Sequence, residues 1–359
     1  MTDVLNPPPA PPPAPLAAAD SPAGRSADGS EAVRELLVRS TTWQADGVLS
    51  LRLVDPSGAP LPPWSPGAHL DLVLPSGLVR QYSLCGSPED RHGYTVAVLL
   101  VGDGRGGSRE VHETALVGRT VSVRGPRNRF PLVEAEHHLF IAGGIGITPI
   151  LAMAREVNAR GRDWRLAYGG RSRSSMAFTE ELRALGPDRT EFVPQDECGP
   201  LNLDALLADV RPDTAVYCCG PEGLLAAVQQ RHHDSGAAFA LHFERFGAPV
   251  TARSAADSGG SGAPGDAPVP ASAFEVELRR SGQVLTVPPD RSILDTIREV
   301  APQVMSSCEE GFCGTCETPV LEGVPEHHDT LLSERERERG KTMMICVGRS
   351  KTPRLVLDL

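Results

Sequence analysis

The sequence predicts a multidomain protein with an antiparallel β-barrel, an α/β domain with a parallel sheet, and a small α+β domain. Short β-like runs separated by Gly, Pro and Asp turns fill residues 32–133, which is typical of an antiparallel barrel or sandwich. Strand and helix patterns alternate over 134–248, which predicts βα units around a parallel sheet. In 273–359 a hairpin and a helix precede a cysteine-rich loop, which favours a small α+β fold.

Two low-complexity segments lie outside these domains. Residues 1–31 are rich in Pro and Ala and carry few large apolar side chains. Such a segment cannot offset the entropy of ordering, so we expect a disordered tail. Residues 249–272 are rich in Gly, Ser and Pro, which is the composition of a flexible linker.

The overall composition limits the class of partner and the compartment. The 359 residues include 35 basic and 46 acidic side chains, with a formal net charge of −11, which argues against nucleic acid or an anionic membrane as partner. No apolar run approaches the ~20 residues that span a bilayer, and the N-terminus lacks the features of a signal peptide. We therefore expect a cytoplasmic protein, in which most of the eight cysteines are ligands, redox groups or core residues rather than disulfides.

Four cysteines have the spacing of an iron–sulfur site. A C-x4-C-x2-C motif is followed by a fourth cysteine, with 29 residues between the third cysteine and the fourth. This is the pattern of a plant-type [2Fe–2S] cluster. Gly311 and Gly314 would let the loop curl around the cluster. Zinc is the alternative, but zinc sites more often contain two C-x2-C pairs or added histidines. The predicted ligands are Cys308, Cys313, Cys316 and Cys346.

The stretch CEEGFCGTCETPVLEG, with MMICVGRS downstream, resembles the C-terminal ferredoxin domain of the phthalate dioxygenase reductase and vanillate demethylase reductase family. The resemblance extends from about residue 34 to residue 359, apart from the linker. It implies that 32–133 is an FMN-binding barrel, that 134–248 is an NAD(P)H-binding domain, and that 273–359 is a β-grasp [2Fe–2S] ferredoxin domain.

Two motifs of the barrel carry the flavin prediction. RQYSLCG at 80–86 resembles the flavin-binding signature of ferredoxin-reductase barrels. In it Arg80 would pair with phosphate, Tyr82 would offer its ring and hydroxyl, and Ser83 would hydrogen-bond near flavin N5. A plain strand with an exposed arginine is the alternative.

The second motif, GRGGS, could direct backbone N–H groups at a phosphate, or it could be a simple flexible turn. Its resemblance to FMN-binding members favours FMN over FAD. Its residues are Gly104, Arg105, Gly106, Gly107 and Ser108.

The first nucleotide motif is LFIAGGIGITPI at 139–150, which predicts a strand, a Gly-rich turn and the start of a helix. Gly143, Gly144 and Gly146 would let the phosphates of a dinucleotide approach the helix N-terminus. The motif resembles the nucleotide domain of ferredoxin reductases, which would place Thr148 at the flavin–nicotinamide junction.

Later strand ends supply further candidates. Arg171 and Arg173 follow a strand where α/β sheets bind the adenosine half, although they could be solvated surface charges. The resemblance places Cys219, Gly220 and Pro221 at the nicotinamide.

In HFERFG the resemblance places Phe246 near the flavin with Glu244 beside it; the alternative is that Phe246 only fills the core. The residues predicted to act at hydride transfer are Ser83, Thr148, Cys219 and Phe246.

The resemblance implies an NADH-dependent iron–sulfur flavoprotein reductase that passes electrons through FMN and a [2Fe–2S] cluster to a terminal oxygenase. A Rieske-type non-haem iron oxygenase or demethylase acting on an aromatic compound is the favoured acceptor. The alternatives are a haem-thiolate monooxygenase and a small-molecule acceptor, as in a diaphorase. NADPH stays open as the donor, because Arg171 and Arg173 could serve its 2′-phosphate. We expect a monomer.

Overall fold

The computed structural model describes residues 33–102, 106–236, 238–246, 273–306, 309, 311 and 314–359. The predicted tail (1–31) and linker (249–272) lie outside these residues, and the predicted domain boundaries remain predictions. Four predicted site residues also lie outside them: Gly104, Arg105, Cys308 and Cys313.

The first sheet is antiparallel, with the strand order β4-β3-β6-β1-β2-β5. Its strands are β1 (Arg34–Ala45), β2 (Val48–Val54), β3 (Ala68–Val73), β4 (Val79–Ser83), β5 (Tyr94–Leu99) and β6 (Thr120–Asn128), and helix α1 (Gly107–Glu113) follows β5. A bridge between Leu84 and Val96 connects the end of β4 to β5, so the sheet curls back on itself as a barrel does. Leu36, Leu51 and Tyr94 are buried inside it.

The second sheet is parallel, with the strand order β11-β10-β7-β8-β9. Its strands are β7 (His137–Gly143), β8 (Asp163–Gly170), β9 (Thr190–Pro194), β10 (Thr214–Cys219) and β11 (Ala240–Glu244). The helices are α2 (Ile147–Ala159), α3 (Thr179–Leu185), α4 (Gln195–Cys198), α5 (Leu203–Ala208) and α6 (Glu222–Ser235). Side chains alternate between two apolar clusters on opposite faces, so Phe140 packs in one and Ile141 in the other.

The third sheet is mixed, with the strand order β13-β12-β18-β14-β16. Its strands are β12 (Phe274–Leu278), β13 (Gln283–Val287), β14 (Glu317–Glu322), β16 (Thr342–Met344) and β18 (Arg354–Leu357), with β15 (Pro325–Glu326) and β17 (Arg349–Ser350) as a separate pair. Helix α7 (Ile293–Arg298) buries Ile293, Leu294 and Ile297 against it. Helix α8 (Glu334–Arg339) begins with a capping box between Ser333 and Glu336.

The predicted fold class is therefore confirmed: an antiparallel curled sheet, a parallel sheet with helices, and a small α+β unit follow one another along the chain. Within the described ranges, every helix is too short or too polar to cross a bilayer.

Candidate functional site

Strand β4 carries three predicted flavin-binding residues and divides them between its two faces. Tyr82 lies opposite Leu70 of β3 and packs on the barrel core, and burial raises the pKa of its phenol to about 12. Arg80 shares that side of the strand, because side chains alternate along it. Ser83 lies on the outer face.

The GRGGS motif is described from Gly106 onward. Gly106 has a φ of 83°, in the left-handed region that favours glycine. A Cβ on Gly107 would lie 2.6 Å from Cγ and Nε of Arg80, so this glycine lets the Arg80 side chain lie against the start of α1. Ser108 Oγ accepts a hydrogen bond of 3.0 Å from the Val101 N–H, which ties the loop to the chain after β5.

The turns that follow β7 and β10 contact each other closely. A Cβ on Gly146 would lie 2.2 Å from the carbonyl oxygen of Cys219, and one on Gly143 would lie 2.7 Å from Cδ of Pro221. Any side chain at these two positions would therefore push the turns apart. Gly144 differs, because its φ is +54° and no described atom lies within 4 Å of the position of a Cβ. It is the glycine of this motif that borders open space.

A cleft of about 1200 Å³ opens at the carboxyl end of the parallel sheet, the edge at which open α/β sheets bind ligands. Asp46 and Gly47, in the turn between β1 and β2, contribute to its wall. The structure thus gathers predicted residues from separate strand ends around one space. These are Gly143, Gly144, Gly146, Arg171, Gly220, Pro221 and Phe246.

Thr148 and Cys219 are buried next to this wall. Thr148 Oγ1 donates a hydrogen bond of 3.0 Å to the Ile145 carbonyl, which satisfies the hydroxyl inside the Gly-rich turn. Burial, with a smaller contribution from the Glu244 carboxyl, raises the pKa of the Cys219 thiol well above its ordinary value. Cys219 is therefore a neutral thiol at pH 7.

Glu244 connects the barrel to the parallel sheet. It is the register partner of Cys219 on the neighbouring strand, and Ser83 Oγ donates to its Oε2 at 3.5 Å. Burial raises the pKa of Glu244 to about 8, so the carboxyl keeps its proton at pH 7. Two of the residues predicted to act at hydride transfer, Ser83 and Cys219, are thus linked through Glu244. Phe246 is 41% exposed and lines the cleft.

The two candidate arginines after β8 differ in environment. Arg173 forms a two-pronged ion pair with Glu197, with distances of 3.2 Å from Nε to Oε1 and 2.6 Å from Nη2 to Oε2. Of these two arginines, only Arg171 lines the cleft.

The two described cysteine ligands lie together although 29 residues separate them. Cys316 and Cys346 are both buried, and the Ile345 N–H donates to the Cys316 carbonyl at 3.4 Å. Gly311 has a φ of +75°, and a Cβ there would lie 2.6 Å from Cγ2 of Val347. Only glycine can take this backbone conformation and close contact at position 311. Cysteine thiolates are soft ligands, and such ligands on a tight loop suit an iron–sulfur cluster. The described residues fit the predicted group.

Sequence reasoning missed a polar junction on the outer face of the barrel. Asp71 of β3 has no exposed surface, and its carboxylate is paired with Arg127 of β6. Gln81 of β4 donates to Asp71 Oδ1 at 3.0 Å. The signal in the sequence was a charged residue in the otherwise apolar strand HLDLVLP, because a buried carboxylate requires partners.

Family profiles match two parts of the chain. A 2Fe-2S iron-sulfur cluster binding domain matches residues 276–351, which contain all four predicted cysteine ligands. The N-terminal domain of dimethylamine monooxygenase subunit DmmA-like proteins matches residues 128–239, where the parallel sheet lies.

Curated relatives match nearly the whole chain. Phenoxybenzoate dioxygenase subunit beta of Ectopseudomonas oleovorans is 40% identical over 336 residues, which are 93% of this chain and 100% of that protein. Phthalate dioxygenase reductase of Burkholderia cepacia is 39% identical over 331 residues, covering 90% of this chain and 97% of the relative.

Solved structures are similar over the same length. An intact type IV self-sufficient cytochrome P450 monooxygenase has a TM-score of 0.77 and 40% identity, and the match covers 91% of this chain but only 41% of that longer chain. A phthalate dioxygenase reductase has a TM-score of 0.66 and 37% identity over 91% of this chain and 98% of its own.

Proposed function

Because this chain belongs to the phthalate dioxygenase reductase family of oxygenase reductase components, we propose that it carries electrons from NADH through FMN and a [2Fe–2S] cluster to a Rieske-type oxygenase. The observation that carries the proposal is the position of β4. Arg80 contacts the loop before α1, Gln81 contacts the α+β domain, and Ser83 contacts the parallel sheet. One strand thus touches the regions predicted for flavin phosphate, cluster and nicotinamide.

The residues that we propose to hold the cofactors are those that the sequence predicts. When bound, NADH supplies a hydride, FMN accepts the electron pair and releases single electrons, and the cluster carries one electron at a time. The cluster ligands are Cys308, Cys313, Cys316 and Cys346. The FMN contacts are Arg80, Tyr82, Ser83 and the GRGGS loop (104–108).

At the predicted nicotinamide end of the site, the Glu244 carboxyl holds a proton. Glu244 is protonated at pH 7, because burial raises its pKa to about 8, and its Oε2 lies 3.5 Å from Ser83 Oγ. A neutral carboxyl and a neutral Cys219 thiol favour close approach of the uncharged dihydronicotinamide ring, since neither adds an uncompensated charge to a buried site.

At the adenosine end, the arrangement favours NADH over NADPH. The Arg173 guanidinium is held by Glu197, so its charge is already balanced. Arg171 remains to contact the ribose or the adenine. A 2′-phosphate would require an additional cation, whereas Arg231 and Arg245, which also line the cleft, are each paired with a carboxylate.

The acceptor is a separate oxygenase protein that acts on an aromatic compound. Residues 273–359 contain 15 acidic and 11 basic side chains, so we expect the α+β domain to dock on a basic surface with an association rate that falls as salt rises. The reductase works as a monomer in the cytoplasm, where NADH and reduced thiols are available.

Anaerobic titration with NADH, followed by absorbance, tests the cofactor sequence. We expect the flavin band to bleach together with the [2Fe–2S] bands, and chromatography of the released flavin to give FMN. Release of FAD, or a cluster that stays oxidised after the flavin is reduced, would contradict the proposal.

A haem-thiolate monooxygenase is the second candidate acceptor, because 91% of this chain matches part of a self-sufficient cytochrome P450 with a TM-score of 0.77. Turnover of purified Rieske-type and haem-thiolate oxygenases with this reductase separates the two. A Cys346→Ser variant provides the control for a diaphorase. It should lose turnover of the oxygenase and keep reduction of small dyes; equal oxygenase turnover with this variant would favour the small-molecule acceptor.

A further inference from the structure

We propose that the hydrogen bond between Gln81 and Thr315 is the docking contact that holds the cluster loop against the flavin strand, and that Asp71 and Arg127 position it. Gln81 Nε2 donates to Thr315 Oγ1 at 2.9 Å, although 234 positions separate the two residues. The inference rests on the proposed function, because it assigns a role in flavin-to-cluster transfer to residues outside the predicted cofactor sites.

The position of the contact is its first support. Gln81 lies between two predicted FMN ligands on β4, and Thr315 is bonded directly to a predicted cluster ligand, Cys316. Thr315 is buried, and its hydrogen bond with Gln81 is partly buried. The Gln81–Thr315 contact therefore provides a short path for electron transfer between the two cofactor regions. Loss of the contact would lengthen that path.

A buried carboxylate of the barrel holds in place the side chains that donate hydrogen bonds to Thr315. The Asp71 carboxylate has no exposed surface and pairs with both Arg127 and Gln81. Arg127 also donates to Thr315 Oγ1, at 3.4 Å. Because a buried carboxylate is stable only with its partners in place, Asp71 fixes the two side chains that donate to Thr315.

A second set of contacts between the barrel and the α+β domain involves Arg129. Arg129 pairs with Glu317 at 3.3 Å and donates to the Gly314 carbonyl at 3.4 Å. Gly314 has a φ of +74°, and a Cβ there would lie 2.7 Å from the Arg129 Cζ, so glycine permits this approach. In the contacts described between the two domains, the donors Gln81, Arg127 and Arg129 belong to the barrel, and the acceptors belong to residues 314–317.

Substitutions of Thr315 and Gln81 test the inference by anaerobic stopped-flow mixing with NADH, which separates flavin reduction from cluster reduction. Thr315→Val removes the hydroxyl with little change in volume, and Gln81→Leu removes the donor. We expect Thr315→Val to leave the rate of flavin reduction unchanged and to slow cluster reduction by about fivefold, the effect of losing one hydrogen bond of ~1 kcal/mol.

The matched controls are Thr315→Ser, which keeps the hydroxyl, and Thr318→Val, which removes another buried hydroxyl bonded to the Cys316 carbonyl at 3.2 Å. Both should transfer electrons at the wild-type rate. The Gln81→Leu/Thr315→Val double variant should be slowed by less than the product of the two single effects, because the two changes share one contact.

A second readout is independent of turnover. Hydrogen exchange, measured by mass spectrometry, should rise in peptides over 79–84 and 314–319 in Thr315→Val and stay unchanged in Thr318→Val. An unchanged cluster-reduction rate in Thr315→Val overturns the inference, and so does a slower rate without increased exchange or with a shifted cluster potential. If NADH fails to reduce the cluster in the wild type, the proposed function itself fails, which is a distinct result.

Discussion

Ser83 donates a hydrogen bond to Glu244 across the boundary between the curled antiparallel sheet and the parallel sheet, with 3.5 Å between Oγ and Oε2. The bond joins the last residue of β4 to the last residue of β11. Since both strands end here, the contact lies where the predicted flavin and nicotinamide sites meet.

Glu244→Gln should remove a pH dependence of hydride transfer. The wild-type carboxyl has a pKa of about 8, so we expect the NADH-to-flavin rate to be constant up to about pH 7 and to fall above pH 8 as the carboxylate forms. Glutamine stays neutral, and its profile should be flat. Stopped-flow rates from pH 6 to 9 check this, with the exposed Glu191→Gln as control.

The same shift has a consequence for stability. The pKa of Glu244 is raised from 4.5 to about 8, so the folded state holds the proton more tightly than the unfolded state. Its contribution to the free energy of unfolding is therefore full at low pH and is lost as the pH rises from about 4.5 to about 8. A parallel pH dependence of stability in wild type and Glu244→Gln would contradict the assignment.

His69 should make the protein sensitive to mild acid. This side chain is 5% exposed, and burial, followed by Arg127 and Arg129, lowers its pKa from 6.5 to about 3. The unfolded state therefore binds a proton that the folded state excludes, and the free energy of unfolding falls as the pH drops below 6.5, by up to ~1.4 kcal/mol per pH unit.

Urea unfolding of His69→Gln and wild type between pH 5 and 8 checks this expectation. The difference in their free energies of unfolding should shrink as the pH falls, because glutamine does not titrate. The exposed His233→Gln serves as the matched control. A difference that is constant over this range would mean that the folded and unfolded states bind the same number of protons at His69, so that its pKa is not lowered by folding.

Glu197→Gln should increase the use of NADPH. Glu197 balances the Arg173 guanidinium through two hydrogen bonds, and removal of that charge leaves a cation near Arg171 that can attract a 2′-phosphate. We expect kcat/KM for NADPH to rise about fivefold while that for NADH changes little. Addition of Arg173→Gln should abolish the gain; if the gain persists, Arg173 is not its source.

Gly146→Ala should push apart the turns that follow β7 and β10, which line the cleft. The added Cβ would meet the Cys219 carbonyl oxygen at 2.2 Å, so we expect a loss of about 1–3 kcal/mol in stability and a raised KM for NADH. Gly102→Ala is the control, because its Cβ would meet no described atom within 4 Å. Thermal unfolding and steady-state kinetics measure both effects.

Local patterns were enough to predict the three fold classes. The alternation of strand and helix patterns over 134–248 predicted the parallel sheet, which the structure contains. The cysteine spacing predicted the cluster domain, which the family profile at 276–351 confirms. These features depend on residues close together in the chain, so a single sequence records them.

The contacts between sheets could not be predicted in this way. Gln81 and Thr315 are 234 positions apart. A glutamine in a strand and a threonine in a loop are both ordinary residue types at such positions, so neither indicates a contact. The pairing of Arg173 with Glu197 likewise depends on how α4 lies against the turn after β8, where the Asp196 N–H donates to the Arg171 carbonyl. Such contacts follow from the relative placement of sheets and helices, which hydrophobic periodicity does not encode.

The alternation of β4 limits how this protein can be recombined with its relatives. Insertion of one residue before Val79 would exchange the two faces of the strand, so Gln81 and Ser83 would turn towards the barrel core and both neighbouring units would lose their contacts at once. A transplanted ferredoxin unit with its own four cysteine ligands, by contrast, would meet the barrel through a hydroxyl at 315, a glycine at 314 and an acid at 317. Chimeras joined within 249–272 should therefore couple better when they keep these three residues than when they lack them.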